Sequence, residues 1–210
     1  MHRRRPNLMI GFHGCDQSVR DQLVTIPDKV KKSHEIHDWL GNGFYIWENN
    51  YARAFKWALD KQERGTIKNP SVVGVIYQLD YCLDFTDSEF IEILSSYYEL
   101  MKEDFSIAGK KIPQNRDLPK DEYHDLIFRV LDCAVIEYLH QKIGEQINLD
   151  IANKGYSGYK HFDTVRGIFT EGGPAFEGAG IQTKNHIQVC IRNLNCIKGF
   201  FIPRQEIRFP

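Results

Sequence analysis

The sequence predicts a mixed α+β domain, with a largely antiparallel β core, flanking helices and a helical insertion at about 86–150. Three observations carry this prediction. Strand-length apolar runs lie at both ends of the chain, helical periods fill the middle, and no repeat or low-complexity tract breaks the order. A length of 210 residues fits one domain. Hydrophobic residues at 42% and 26 aromatics (13 Phe, 10 Tyr, 3 Trp) can fill a sizeable core.

The elements follow in order. Leu8-Met9-Ile10-Gly11-Phe12 leaves no room for a helix before Gly14 and reads as a buried strand ending at His13. Ser18-Val19-Arg20-Asp21 has the form of a capping box, opening a short helix to about Val24 that Pro27 ends. Residues 28–38 are polar, carry Lys29, Lys31, Lys32, His34 and His37, and follow neither period, which predicts a loop. Gly41-Asn42-Gly43 leads into the aromatic strand Phe44-Tyr45-Ile46-Trp47, and Glu48-Asn49-Asn50 caps a helix from Tyr51 to about Gln62. Val72 to Leu79 is a buried strand, and Asp84-Phe85-Thr86-Asp87 caps a helix to about Lys102. Gly109 to Pro119 reads as a loop, and Asp121 to Ile143 as the longest helix. Strands return at Thr164–Phe169, His186–Arg192 and Ile197–Ile202. In the middle one Ile187, Val189 and Ile191 face one way, and His186, Gln188, Cys190 and Arg192 the other.

Several function classes fall away at this stage. With 27 basic and 28 acidic residues the net charge is −1, so nucleic-acid binding would need a local patch such as Arg3-Arg4-Arg5, Lys29-Lys31-Lys32 or Lys110-Lys111. Apolar runs are far shorter than the roughly 20 residues of a membrane span, and Leu8-Met9-Ile10 is too short for a signal-peptide core. A cytoplasmic address and no membrane partner are therefore expected. Five cysteines without a C-x-x-C pair read as reduced thiols. The cluster His34-Glu35-Ile36-His37-Asp38 reads as solvated loop, and no metal is expected. A Cys15–His13 nucleophile would require the first strand to continue past Gly14. Gly41-Asn42-Gly43 fits neither a Walker loop nor a dinucleotide fingerprint.

The informative constellation joins three strand ends: Gly11-Phe12-His13-Gly14, Gly41-Asn42-Gly43-Phe44-Tyr45, and Asn185-His186-Ile187-Gln188-Val189. In these motifs, and in the small residues Ala52, Ala54 and Ala58 behind the second, the chain resembles ADP-ribosyltransferases of the diphtheria-toxin and poly(ADP-ribose) polymerase type, whose motif is H-Y-[E, D or Q]. The anchors span residues 11 to 192; the 86–150 insertion has no assigned counterpart.

The resemblance implies NAD as co-substrate, no metal, and His13, Tyr45 and Gln188 as the catalytic set. In that reading His13 holds the adenosine-side ribose, the Gly14 backbone holds the carboxamide, and Arg53 meets the pyrophosphate. Tyr45 fits the role physically, because an aromatic face stabilises a flat cationic ring. Gln188 departs from the commoner glutamate. An amide orients a hydroxyl but carries no negative charge and takes no proton, so single-unit transfer is expected rather than polymer elongation. Glu171 and Glu177, in the glycine-rich loop before the third strand, are auxiliary carboxylate candidates. The resemblance further implies an intracellular toxin or phage-defence effector, a macromolecular acceptor (protein or nucleic acid), and a neutralising antitoxin. The alternative is a catalytically inactive NAD- or ADP-ribose-binding module of the same fold.

Overall fold

The computed structural model describes residues 4–5, 7–36, 38–117, 119 and 122–204. His37, Arg3 and the other residues outside these ranges are not described, so the His34/His37 pairing falls outside them. The chain runs β1 (Arg4–Arg5), β2 (Met9–Asp16), α1 (Gln17–Thr25), β3 (Phe44–Glu48), α2 (Tyr51–Glu63), β4 (Pro70–Tyr77), β5 (Asp80–Asp84), α3 (Ser88–Ile107), α4 (Val130–Lys154), β6 (Thr164–Phe169), β7 (His186–Ile191) and β8 (Ile197–Phe201). The fold is α+β with a mostly antiparallel sheet. Among the described residues that sheet has eight strands in the order β1-β5-β6-β7-β3-β2-β4-β8, and every neighbouring pair is antiparallel except β5 with β6.

The parallel pair explains the helical middle. Two parallel neighbours cannot be joined by a hairpin and need a crossover, and α3 and α4 form it. Helix α4 presents Ile136, Leu139 and Ile143 to Leu40, Leu83, Val165 and Cys190, and presents Val135 and Tyr138 to Met101 of α3. The opposite sheet face buries Phe44, Ile46, Val73, Val75, Val189 and Ile191 against Leu23 of α1. Arg166 of β6 ties three strands together: it grips Glu48 with two bonds of 2.7 and 2.8 Å and reaches Asp84 at 3.2 Å. These bonds raise its pKa further above the ordinary arginine value.

Four expectations need correction. Strand β2 does not end at His13 but runs to Asp16. The cap of α1 is Asp16, whose carboxylate accepts from the Ser18 amide at 3.0 Å, not the Ser18 box. Its other oxygen accepts from the amides of Lys68 and Asn69, and these bonds hold the carboxyl well below its usual range. Strand β5 has no forerunner in the sequence reading. The long helix starts at Val130 rather than Asp121: His124 and Leu126 have φ of 54° and 50°, and Asp117 accepts from the Leu126 amide. Asn115, 16 residues upstream, accepts from the Leu131 amide at 2.8 Å and so starts the helix from a distance.

Candidate functional site

Strands β2 and β3 pair over only two positions, Gly11↔Glu48 and Phe12↔Trp47. Beyond them β2 continues beside β4 alone, up to Asp16↔Pro70, while Phe44, Tyr45 and Ile46 pair with β7 on their other side. The sheet is therefore split just where the two sequence motifs face each other. His13 stands at the start of the split, and its Nδ1 lies 2.7 Å from the Tyr45 carbonyl in place of the next ladder bond. A carbonyl only accepts, so Nδ1 carries the proton and Nε2 is left as an acceptor. Burial lowers the His13 pKa to about 4, with the Tyr45 bond opposing, so the ring is neutral at pH 7. The imidazole rests on Phe44, 4.6 Å between centroids.

Gly14 comes next. The Ile10 carbonyl accepts from Asn49 just after β3, so by strand alternation the backbone groups of Phe12 and Gly14 also turn toward β3. At Gly14 they do so past the end of the ladder. The side where a Cβ would project is filled by the Ala54 carbonyl of α2, so packing of the helix alone demands glycine there. Cys15 lies in the core, and burial raises its thiol to about 11. Strand β2 does continue past Gly14, yet this thiol is no activated nucleophile.

Tyr45 points to the opposite sheet face from His13. Its hydroxyl donates to the Gly41 carbonyl at 2.8 Å and accepts from the Leu40 amide at 2.9 Å, which fixes a partly buried ring. Burial holds its pKa well above the usual value. The Gly41–Gly43 turn is itself clamped: Glu137 of α4 accepts from the Asn42 amide at 2.7 Å and pairs with Arg192, which donates to the Asn42 carbonyl.

Gln188 shares the Tyr45 face and lies directly across from Trp47. Phe12, Trp47 and Gln188 form one cross-strand row, two interstrand spacings or about 10 Å wide. The Gln188 Oε1 accepts from Trp39 Nε1 at 2.6 Å. Trp39 packs edge-on to Phe169, whose ring stacks on His186, and Arg129 lies over both Trp39 and Phe169. Arg53 and Glu171 meet near this group as a buried ion pair, 15% and 7% exposed. Trp47 Nε1, Arg53 Nε and His186 Nε2 are buried without a hydrogen-bond partner, an uncommon concentration of unspent donors and acceptors. Burial, with Arg53 and Arg129 nearby, lowers the His186 pKa to about 4. Glu177 stands apart, exposed on the loop.

Tyr45, Gln188, Arg53 and Glu171 thus fall on one side of the sheet, and His13 and Gly14 lie at the adjoining split. Trp39 escaped the sequence reading, and His186 entered it only as a neighbour of Gln188 on the same strand face. Trp39 lies 149 residues from its partner, and no local pattern marks such a contact. Among the described residues no group of three or more His, Cys, Asp or Glu side chains could hold a metal ion, and no helix is long and apolar enough to cross a membrane. Compared with protein-family models, curated proteins and solved structures, the chain matches none significantly.

Proposed function

We propose that this chain is a mono-ADP-ribosyltransferase that cleaves NAD and transfers one ADP-ribose unit to a macromolecular acceptor. The observation that carries the reading is the split between β2 and β3. One lip holds His13 and Gly14, the other Tyr45, with Gln188 on the adjoining strand and α2 following directly. The residues suit NAD as co-substrate. A neutral His13 whose Nε2 must accept can take a hydrogen bond from a ribose hydroxyl. Gly14 turns backbone groups toward the split, as a carboxamide needs. The doubly anchored Tyr45 ring offers a fixed platform for a flat cationic ring.

NAD supplies a glycosidic bond whose cleavage releases nicotinamide and leaves positive charge on the ribose. Gln188, oriented by Trp39, positions a hydroxyl there without contributing charge. Glu171 is the carboxylate nearest in kind, but Arg53 occupies it. A cytoplasmic toxin or phage-defence effector held silent by an antitoxin is the setting we propose.

That same engagement favours one competing reading, a binding module that holds NAD without turning it over. Incubation with NAD labelled on the adenylate phosphate and a cell extract separates the two. Transfer of label by the native chain, lost in His13→Ala and Tyr45→Ala, supports the transferase. Binding of NAD with no label transferred and NAD intact leaves the module; NAD turnover unchanged in both variants overturns the site.

A further inference from the structure

A cavity of about 590 Å³ lies between the Lys32–His34 stretch and α4, with Asn42 of the Gly41–Gly43 turn in its wall. This is within the range of roughly 300–1,000 Å³ in which small-ligand pockets fall. Two separate segments build its polar wall. The Ser33 amide donates to the Gly43 carbonyl and the Gly43 amide to the Ser33 carbonyl, at 2.8 and 3.1 Å. Ser33 is thereby fastened in extended form, and its neighbours Lys32 and His34 share one face by the strand period. Opposite them stand His140 of α4 and His161, which precedes β6.

The lining's formal charges balance, Lys32 and Arg192 against Glu137 and Asp163, but the way they are engaged does not. Glu137 is already bound to the Asn42 amide and Arg192. Asp163 is already bound to the Tyr81 amide, the Asn193 amide group and Lys160. The acidic lining is spent, whereas no ion pair among the described residues takes up Lys32, His34 or His161. His140 is 7% exposed, and its Nε2 is buried without a hydrogen-bond partner. Burial, with Arg192 and His161 adding to it, pushes its pKa down to about 2, so the ring is neutral.

We propose that this cavity binds a phosphate ester, with Lys32, His34 and His161 facing the anion and His140 offering its spare ring nitrogen. Phe162 in the same wall gives an apolar surface for the group that carries the phosphate. A ligand held here sits across the Gly41–Gly43 turn, to which the Tyr45 hydroxyl is tied. Under the transferase reading the ligand is the acceptor, which makes that acceptor a nucleotide or polynucleotide. This assignment of role rests on that reading; the binding itself does not.

The test measures binding by calorimetry on the full chain without NAD turnover. The probes are adenosine monophosphate, a twelve-nucleotide oligouridylate, and the same oligomer with uncharged methylphosphonate linkages. The native chain should bind a phosphate-bearing probe, with affinity falling as salt rises. Lys32→Ala and His161→Ala, both at exposed positions, should weaken it at least tenfold, and Lys32→Arg should restore most of it. Binding of the oligomer identifies a polynucleotide source; binding of the mononucleotide alone identifies a free nucleotide. Equal binding of the uncharged oligomer, or no binding of any probe, overturns the proposal. So does a Lys32→Ala variant whose NAD binding falls in step, because the anion would then be NAD's own. An absence of NAD cleavage with phosphate binding intact would sink the transferase and leave this site standing.

Discussion

Removing the Glu171 carboxylate should cost the fold more than almost any other single surface-loop change. Glu171 is 7% exposed and its partner Arg53 15%, so Glu171→Ala strands a guanidinium in a space that admits little water. Breaking one side of a buried pair costs roughly 3–5 kcal/mol, and the remaining access at Arg53 argues for the lower end. In a chain of this size each kcal/mol moves Tm by roughly 2–4 °C, so a fall of about 6–12 °C is expected. Arg53→Met combined with Glu171→Leu removes both charges and should regain most of that loss. The assay is a double-mutant cycle in urea, followed by circular dichroism and by tryptophan fluorescence, since Trp47 and Trp57 lie near. A coupling energy under about 0.5 kcal/mol would refute the claim that the two charges support each other. A double variant no more stable than Glu171→Ala would refute it as well.

Two further outcomes follow from the site. Burial depresses His13 and His186 to about 4, and His140 to about 2, against 6.5 for a free histidine. The unfolded chain therefore binds protons that the folded chain refuses. Stability should be full above about pH 6.5 and should fall as pH drops toward 4, by about 3 kcal/mol for each of His13 and His186. Urea midpoints measured from pH 7.5 to 4.5 check this, and His13→Asn should flatten the slope; an unchanged slope would sink the assignment of a neutral His13. Gly14→Ala should lower Tm by several degrees without any ligand, because its methyl meets the Ala54 carbonyl of α2. A Tm within 1 °C of native would show that helix packing does not require this glycine.

Much of the sheet was legible because its strands carry the period of two on apolar residues. Strand β6 matches the expected Thr164–Phe169, and β7 presents Val189 and Ile191 to one core and Cys190 to another, as the alternation requires. The misreadings arose where a distant group decided the local structure. The apolar spacing from Leu126 onward looked helical, but Asn115 and Asp117 fix the turn before α4 from outside the window. Strand β5 alternates across two aspartates, Asp80 and Asp84, and lacks the apolar run that marks a buried strand. At the site, the sequence supplied residue types and order. The Trp39–Gln188 bond and the Arg53–Glu171 pair join residues more than a hundred positions apart and leave no mark on local pattern. The cavity beside α4 was illegible for the same reason, since its wall is drawn from separate stretches of chain.

The two-position ladder between β2 and β3 also divides the strand pairing of the sheet into two plates. Strands β2, β4 and β8 form one plate, and β1, β5, β6, β7 and β3 the other. A short seam at Gly11 and Phe12, with the His13 bond beyond it, joins their edges. Few ladder bonds hold this seam, so the core shared by Val73 and Val75 on one side and Phe44 and Ile46 on the other carries more of the joint than it would beside a full-length ladder. A ligand that touches both lips then works as a rivet. It ties together plates that the backbone leaves loosely joined, and its binding energy enters directly into the resistance of the sheet to opening. Amide exchange should register the rivet at β3, whose β2-facing side is the least supported in the central sheet.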